Sequence, residues 1–332
     1  YLEEWRYHTT LSGAPQGGIV SPILSNIYLD QLDHFMETTL IPQYTQGLKR
    51  KENPAYSRLK RQIVAARKKG EHRQAHQLLR RAQQLPSRDP YDPSYRRLRY
   101  IRYADDILLG FAGTRAEAVQ IKHQLATYLR ETLHLELSQE KTLITHARSQ
   151  AARFLSYDIR AQHGNEKLAS DGYRHVNAQI ALRVPKDVVK KKTALYRRGG
   201  KPLRRLSLAC CSDYTILRTY QDEYRGFVQY YLLAVNVSWL SGYRWIVLQS
   251  LTHTLASKYR STTRAMAKRF RATVQTPHGK RTCLQATLPR GRGKKPLVAQ
   301  FGGIPLVRNR EAVLVDHLPI QTRYERKEVV RR

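Results

Sequence analysis

Apolar positions along the chain fall into two rhythms. In "SPILSNIYLDQLDHFMETTL", Ile23, Ile27, Leu32, Phe35, Met36 and Leu40 keep an approximate helical stripe. Ser21 before Pro22 predicts an N-cap followed by a proline at the first helical position, where the missing N–H costs nothing. "TRAEAVQIKHQLATYLRETL" opens on a capping box, Thr114 with Glu117, and gives one apolar face through Ala118, Ile121, Leu125, Tyr128 and Leu129. Between these helices "RRLRYIRYADDILLGFAG" reads as strand, tight turn, strand, and "LELSQEKTLITHA" and "ARFLSYDIRA" predict further short strands.

After Pro185 the pattern turns helical. Leu217, Tyr220, Tyr224, Phe227, Val228 and Tyr231 recur at spacings of three and four, and Leu240, Tyr243, Val247, Leu251, Thr254 and Leu255 repeat that rhythm. Beyond about Thr273 the chain is rich in Gly, Pro and Arg, with short β-like runs such as "KPLVAQF". The switch predicts an α+β sheet domain followed by a helical domain, with the boundary near 160–185.

Charge changes the picture. The 332 residues carry 59 Lys and Arg against 26 Asp and Glu, a formal net charge of +33. Self-repulsion of that size opposes compaction, and a polyanion relieves it, so nucleic acid is the leading partner. No run approaches the roughly 18 apolar residues that span a bilayer, no signal-peptide pattern opens the chain, and no membrane partner is expected. Between Leu48 and Arg99 sixteen basic residues face four acidic ones, a helical insertion that is either a solvated face or a phosphate-contacting surface. Cys210, Cys211 and Cys283 form no C-x-x-C pair, which argues against structural zinc and fits a reduced, intracellular compartment.

In so basic a chain the adjacent Asp105 and Asp106 stand out. They can be a solvated turn, an acid/base pair, or oxygen ligands for a divalent metal. The apolar run Ile107–Leu109 beside them suggests a buried hairpin whose tip reaches a cleft. Two like charges held there repel, so a cation would stabilise them, and two-metal phosphoryl transfer follows as a hypothesis. Gly17 and Gly18 form a bend without side chains, either a loop before a helix or backbone lying against a ligand.

"YADD" in a strand–turn–strand, preceded by "GAPQGGIVSPILSNIYLDQLD" and followed in order by "LSQEKT", "RFLSYDI", "YRGFVQYYLLAVN" and "SLTHTLASKY", resembles the reverse transcriptases and maturases encoded by group II introns. The resemblance covers nearly all of the chain and implies a polymerase palm, an antiparallel sheet with packed helices, followed by an α-helical thumb/maturase domain. It places the palm at 1–160 with a basic insertion at about 45–97, a connector at 161–184, the thumb/maturase (X) domain at 185–272 and a basic tail at 273–332.

The same resemblance implies the roles. Asp105 would bind catalytic Mg²⁺, with Asp106 beside it, and Lys141 would lie near the incoming triphosphate. Pro15, Gln16, Gly17, Gly18, Tyr103 and Ala104 would shape the template and nucleotide pocket, and Phe154, Leu155, Ser156 and Tyr157 would grip the primer. Ser156 stands where the family usually has glycine. A further metal-binding Asp belongs to a strand upstream of "PQGG", so a fragment is expected, inactive as a polymerase by itself; Asp30 and Asp33, on the following helix, are poor substitutes. The implied partners are group II intron RNA, an RNA template with DNA primer, deoxynucleoside triphosphates and target DNA. The implied location is bacterial cytoplasm or an organelle. Basic clusters at Arg67, Lys68 and Lys69, at Lys190, Lys191 and Lys192, and at Arg197, Arg198, Arg204 and Arg205 are the expected RNA contacts. An RNA-binding splicing cofactor without polymerase activity is the alternative.

Overall fold

The computed structural model describes residues 20–164, 179–290 and 294–311, together with two short paired strands, β1 (Leu2–Glu3) and β2 (Arg6–Tyr7). It is an α+β chain of two compact units, Tyr1–Ala181 and Leu182–Arg332.

The first unit is built on α1 (Ser21–Phe35), which runs through a π-helical turn (Met36–Leu40) into a short α2 (Ile41–Gln43). Val20, not Ser21, takes the N-cap position and gives no side-chain cap, and Pro22 sits in the first turn. Leu32, Met36 and Leu40 are buried, whereas Ile23 and Ile27 are exposed, so the apolar stripe is covered only from Leu29 onward. Residues 45–97 enclose an antiparallel pair of helices, α3 (Pro54–Lys68) and α4 (His72–Gln84), closed at its base by the Gln46–Arg96 and Glu52–Arg88 bridges.

Next comes the hairpin of β3 (Arg97–Tyr103) and β4 (Asp106–Ala112), then α5 (Arg115–Glu131), whose Thr114–Glu117 capping box is formed. Leu98 of β3 packs with Leu32, Met36, Leu40 and Tyr44 against Ile121, Leu125, Leu129 and Leu133. That is the core that fixes the hairpin. No strand forms over 133–150, contrary to the alternation there. "LELSQEKTLITHA" finds no partner to complete a ladder, and Leu143 stays exposed. β5 (Ala152–Phe154), β6 (Tyr157–Ala161) and β7 (Ile180–Arg183) form a three-stranded sheet.

The second unit carries α6 (Lys186–Ala194), the hairpin of β8 (Arg197–Arg198) and β9 (Lys201–Pro202), α7 (Leu206–Ala209), α8 (Asp213–Tyr230), α9 (Leu240–Lys258) and α10 (Thr263–Arg269). Each apolar residue expected on α9, and each on α8 apart from the half-buried Phe227, is buried. Where a basic tail is expected from 273, the chain instead forms an antiparallel sheet of β10 (Arg271–Thr276), β11 (Gly279–Leu288) and β12 (Leu297–Gly302). The reason is its alternation: Leu284 pairs with Phe301 and Ala286 with Ala299, all four are buried, and Phe301 lies 5.4 Å from the Tyr224 ring of α8. Among the described residues no helix is long and apolar enough to cross a membrane.

Candidate nucleic-acid and metal site

The carboxylates sit where the β3–β4 hairpin turns. Tyr103 pairs with Asp106, leaving Ala104 and Asp105 as a two-residue turn with Ala104 at φ 53°. A two-residue hairpin turn needs positive φ, which costs a residue with a Cβ, so something must hold it. Arg102 does. Its Nη1 donates to the Ala104 carbonyl at 2.9 Å and to Asn26 Oδ1 at 3.1 Å, while Nε and Nη2 donate to the Asp33 carboxylate at 2.9 and 2.5 Å. Tyr100 adds a hydroxyl to Asp33 Oδ1 at 2.6 Å. The Arg102 hydrogen bonds hold the Asp33 carboxyl below the usual carboxylate range, and burial beside Asp33 pushes the Tyr100 hydroxyl far up. Asp33 is thus committed to positioning the hairpin, a role sequence reasoning missed because its partners lie 67 and 69 residues away.

Asp105 and Asp106 are both exposed, and among the described residues neither carboxylate has an ion-pair or hydrogen-bond partner. The expectation that only the hairpin tip is open needs correction. Ile107, Leu109 and Phe111 pack on the core, but the opposite face, with Ile101 and Tyr103, is open to solvent as well. Two free carboxylates one residue apart suit an oxygen-preferring divalent cation, yet among the described residues no group of three His, Cys, Asp or Glu forms a complete metal site.

Lys141 is exposed in a turn after α5. Phe154 pairs with Tyr157 across a two-residue turn in which Leu155 and Ser156 are both left-handed, at φ 45° and 59°. That is a turn geometry for which glycine is best suited. Pro15, Gln16, Gly17 and Gly18 lie outside the described residues.

The basic clusters differ in what they offer. Arg67, Lys68 and Lys69 end α3 and are exposed. Lys190 and Lys191 are exposed on α6, and Lys192 lies over the Phe227 ring at 6.0 Å. Arg197 and Arg198 are exposed on a hairpin whose turn is Gly199 (φ 55°) and Gly200 (φ 76°). Arg204 is exposed, but Arg205 is taken up by the fold. It donates to both Glu223 oxygens at 2.9 Å and lies 5.2 Å from the Tyr220 ring, while Glu223 also accepts from the Tyr196 hydroxyl.

Residues 176–290 match the model of the type II intron maturase family. The chain is 36% identical over 279 residues to the group II intron-encoded protein LtrA of Lactococcus lactis subsp. cremoris, covering 79% of this chain and 46% of that protein. It is 34% identical over 274 residues to a putative COX1/OXI3 intron 1 protein of Saccharomyces cerevisiae, covering 78% of this chain and 32% of the relative. Maturase K of Angiopteris evecta is 25% identical over 182 residues, 52% of this chain. The chain therefore spans less than half the length of these curated relatives. With an intron-maturase domain across its second unit and intron-encoded proteins matching most of its length, the chain belongs to the group II intron maturase family.

Proposed function

We propose that the protein to which this chain belongs is an RNA-directed DNA polymerase and maturase. It copies an RNA template onto a DNA primer, and it binds its intron RNA to aid splicing and insertion into target DNA. One observation carries the polymerase reading: two carboxylates, without a partner among the described residues, at the tip of a hairpin whose turn is fixed by Arg102. In a chain of +33, such acids are worth keeping free of cationic side chains when a metal ion is to take them.

Asp105 and Asp106 are the residues to hold Mg²⁺, which when bound supplies charge stabilisation for phosphoryl transfer. The two-metal arrangement calls for a further carboxylate, which is not among the described residues. Within the chain, Tyr103 and Ala104 floor the site. Lys141 faces the triphosphate as an electrostatic stabiliser. The Phe154–Tyr157 turn positions the primer. The exposed cations of α3, α6 and the β8–β9 hairpin take RNA phosphates, reading shape more than sequence, since an A-form helix hides its base edges in a deep, narrow groove.

A splicing cofactor without polymerase activity is the second reading, favoured by the type II intron maturase model that residues 176–290 match. Primer extension on an RNA template and splicing of the intron RNA, both assayed with the full-length protein, separate the two. Template-dependent incorporation supports the polymerase. Stimulated splicing without incorporation supports the cofactor and overturns the first reading.

A further inference from the structure

Trp239 ends a 3-10 turn (Val237–Trp239) just before α9 and remains 43% exposed. Two cations converge on its ring: the Arg183 guanidinium carbon lies 5.3 Å from the ring centroid and Lys186 Nζ 5.7 Å. Among the described residues neither cation has a carboxylate partner. Surface cation–π pairs are ordinary, and one alone means little. Two like charges on one indole are different, because they repel each other and, among the described residues, no carboxylate pairs with either.

The cluster is also pinned. Asn236, buried, accepts from the Val184 amide at 2.8 Å and donates back to the Val184 carbonyl at 3.2 Å. The Val235 amide donates to the Leu182 carbonyl at 2.9 Å. These bonds clamp residues 182–184 to 235–236, which fixes the backbone of Arg183 beside the turn that carries Trp239. Buried amide bonds of this kind are costly to lose, which makes the arrangement a rigid one.

A part-exposed indole under two cations that have no carboxylate partner among the described residues is a composition that takes a nucleotide, with the base on the open part of the ring and the phosphate at the charges. We propose that Arg183, Lys186 and Trp239 form a site for an unpaired nucleotide of single-stranded RNA. The proposal rests on the RNA-binding reading above and adds to its phosphate contacts a base-stacking site at the start of α6. A duplex offers no free base face, so it gains little here. An acidic peptide would satisfy the cations but leave the indole unused.

The test uses the full-length protein, with Trp239 fluorescence read as the emission that Trp239→Ala loses. The probes are a short oligo(U), a blunt RNA duplex of the same length and poly(Glu). Oligo(U) should quench Trp239 fluorescence and the duplex should not. Trp239→Ala should weaken oligo(U) binding roughly 5- to 150-fold, the range of one base–aromatic stack. Trp239→Tyr, which keeps a π-face and controls for folding, should restore most of it. Arg183→Gln with Lys186→Gln should lower the log–log salt slope for oligo(U) by roughly one to two units. Unquenched Trp239 and unchanged oligo(U) affinity in Trp239→Ala, with intron RNA still bound, would overturn this site alone. Poly(Glu) quenching where oligo(U) does not would hand the site to an acidic protein partner. A wild-type protein that binds no RNA would overturn both readings.

Discussion

Arg102 holds two things at once: its Nη2 lies 2.5 Å from Asp33 Oδ2 on α1, and its Nη1 lies 2.9 Å from the carbonyl oxygen of Ala104 in the turn of its own hairpin. The turn that presents Asp105 is therefore tied to a helix embedded in the core. Both partners are largely buried, with 11% and 28% of their side chains exposed. Asp33→Asn leaves Arg102 without its counter-charge and should destabilise the first unit by about 1–3 kcal/mol in chemical denaturation. Arg102→Lys keeps the charge but loses the fork, and should lower DNA-synthesis turnover at least tenfold while RNA affinity stays unchanged. Wild-type turnover in Arg102→Lys would show that the clamp does not position the site.

The turn at Leu155 and Ser156 stores strain, because Ser156 adopts φ 59° with a Cβ. Ser156→Gly should stabilise the protein by about 1 kcal/mol, read as a higher melting temperature. A lower melting temperature would mean that the serine contributes more through its contacts than the left-handed backbone costs.

The base of the α3–α4 insertion depends on Asp92. Its buried carboxylate accepts from the Lys51 amide at 2.7 Å, the Ser94 hydroxyl at 2.7 Å and the Ser94 amide at 3.0 Å. These bonds, the Lys51 amide first, hold its carboxyl down to about 2 against an ordinary 3.8. A depressed acid stabilises above its unfolded value, and that stabilisation is lost as pH falls from 3.8 through about 2. The Lys51 amide resonance should titrate near pH 2 in the wild type and not at all in Asp92→Asn. Titration near 3.8 would contradict the bonding described.

Arg67, Lys68 and Lys69 end α3 as exposed cations, and α3 with α4 leaves most of its surface open. Replacing all three with Ala should weaken binding of the intron RNA and flatten the log–log salt slope by about two to three units. Polymerase turnover on a saturating primer–template should stay near wild type. An unchanged slope would make the insertion a solvated charged face.

Dense aromatic and leucine positions at spacings of three and four made α8 and α9 legible, because almost every residue in the stripe meets a neighbour. Periodicity names a face but not what covers it, and so it misjudged Ile23 and Ile27, which keep the stripe of α1 yet stay exposed. The β-like run "KPLVAQF" becomes β12, whereas arginine and glycine masked the alternation of β10 and β11 that completes the sheet, with Leu284 opposite Phe301. Pairings over distance were invisible: Arg205 reads as a free cation until Glu223 is seen beside it. The hairpin carrying Asp105 and Asp106 was plain from the local pattern, whereas the clamp that fixes it was not.

The central claim is that Asp105 and Asp106 serve DNA synthesis rather than the fold or RNA binding. The most direct measurement is RNA-templated primer extension with Mg²⁺ by full-length Asp105→Asn protein, alongside its affinity for the intron RNA. An exposed carboxylate contributes little to folding, so the variant should fold and bind RNA as the wild type does. Its extension should fall below detection. Extension at the wild-type rate would contradict the account.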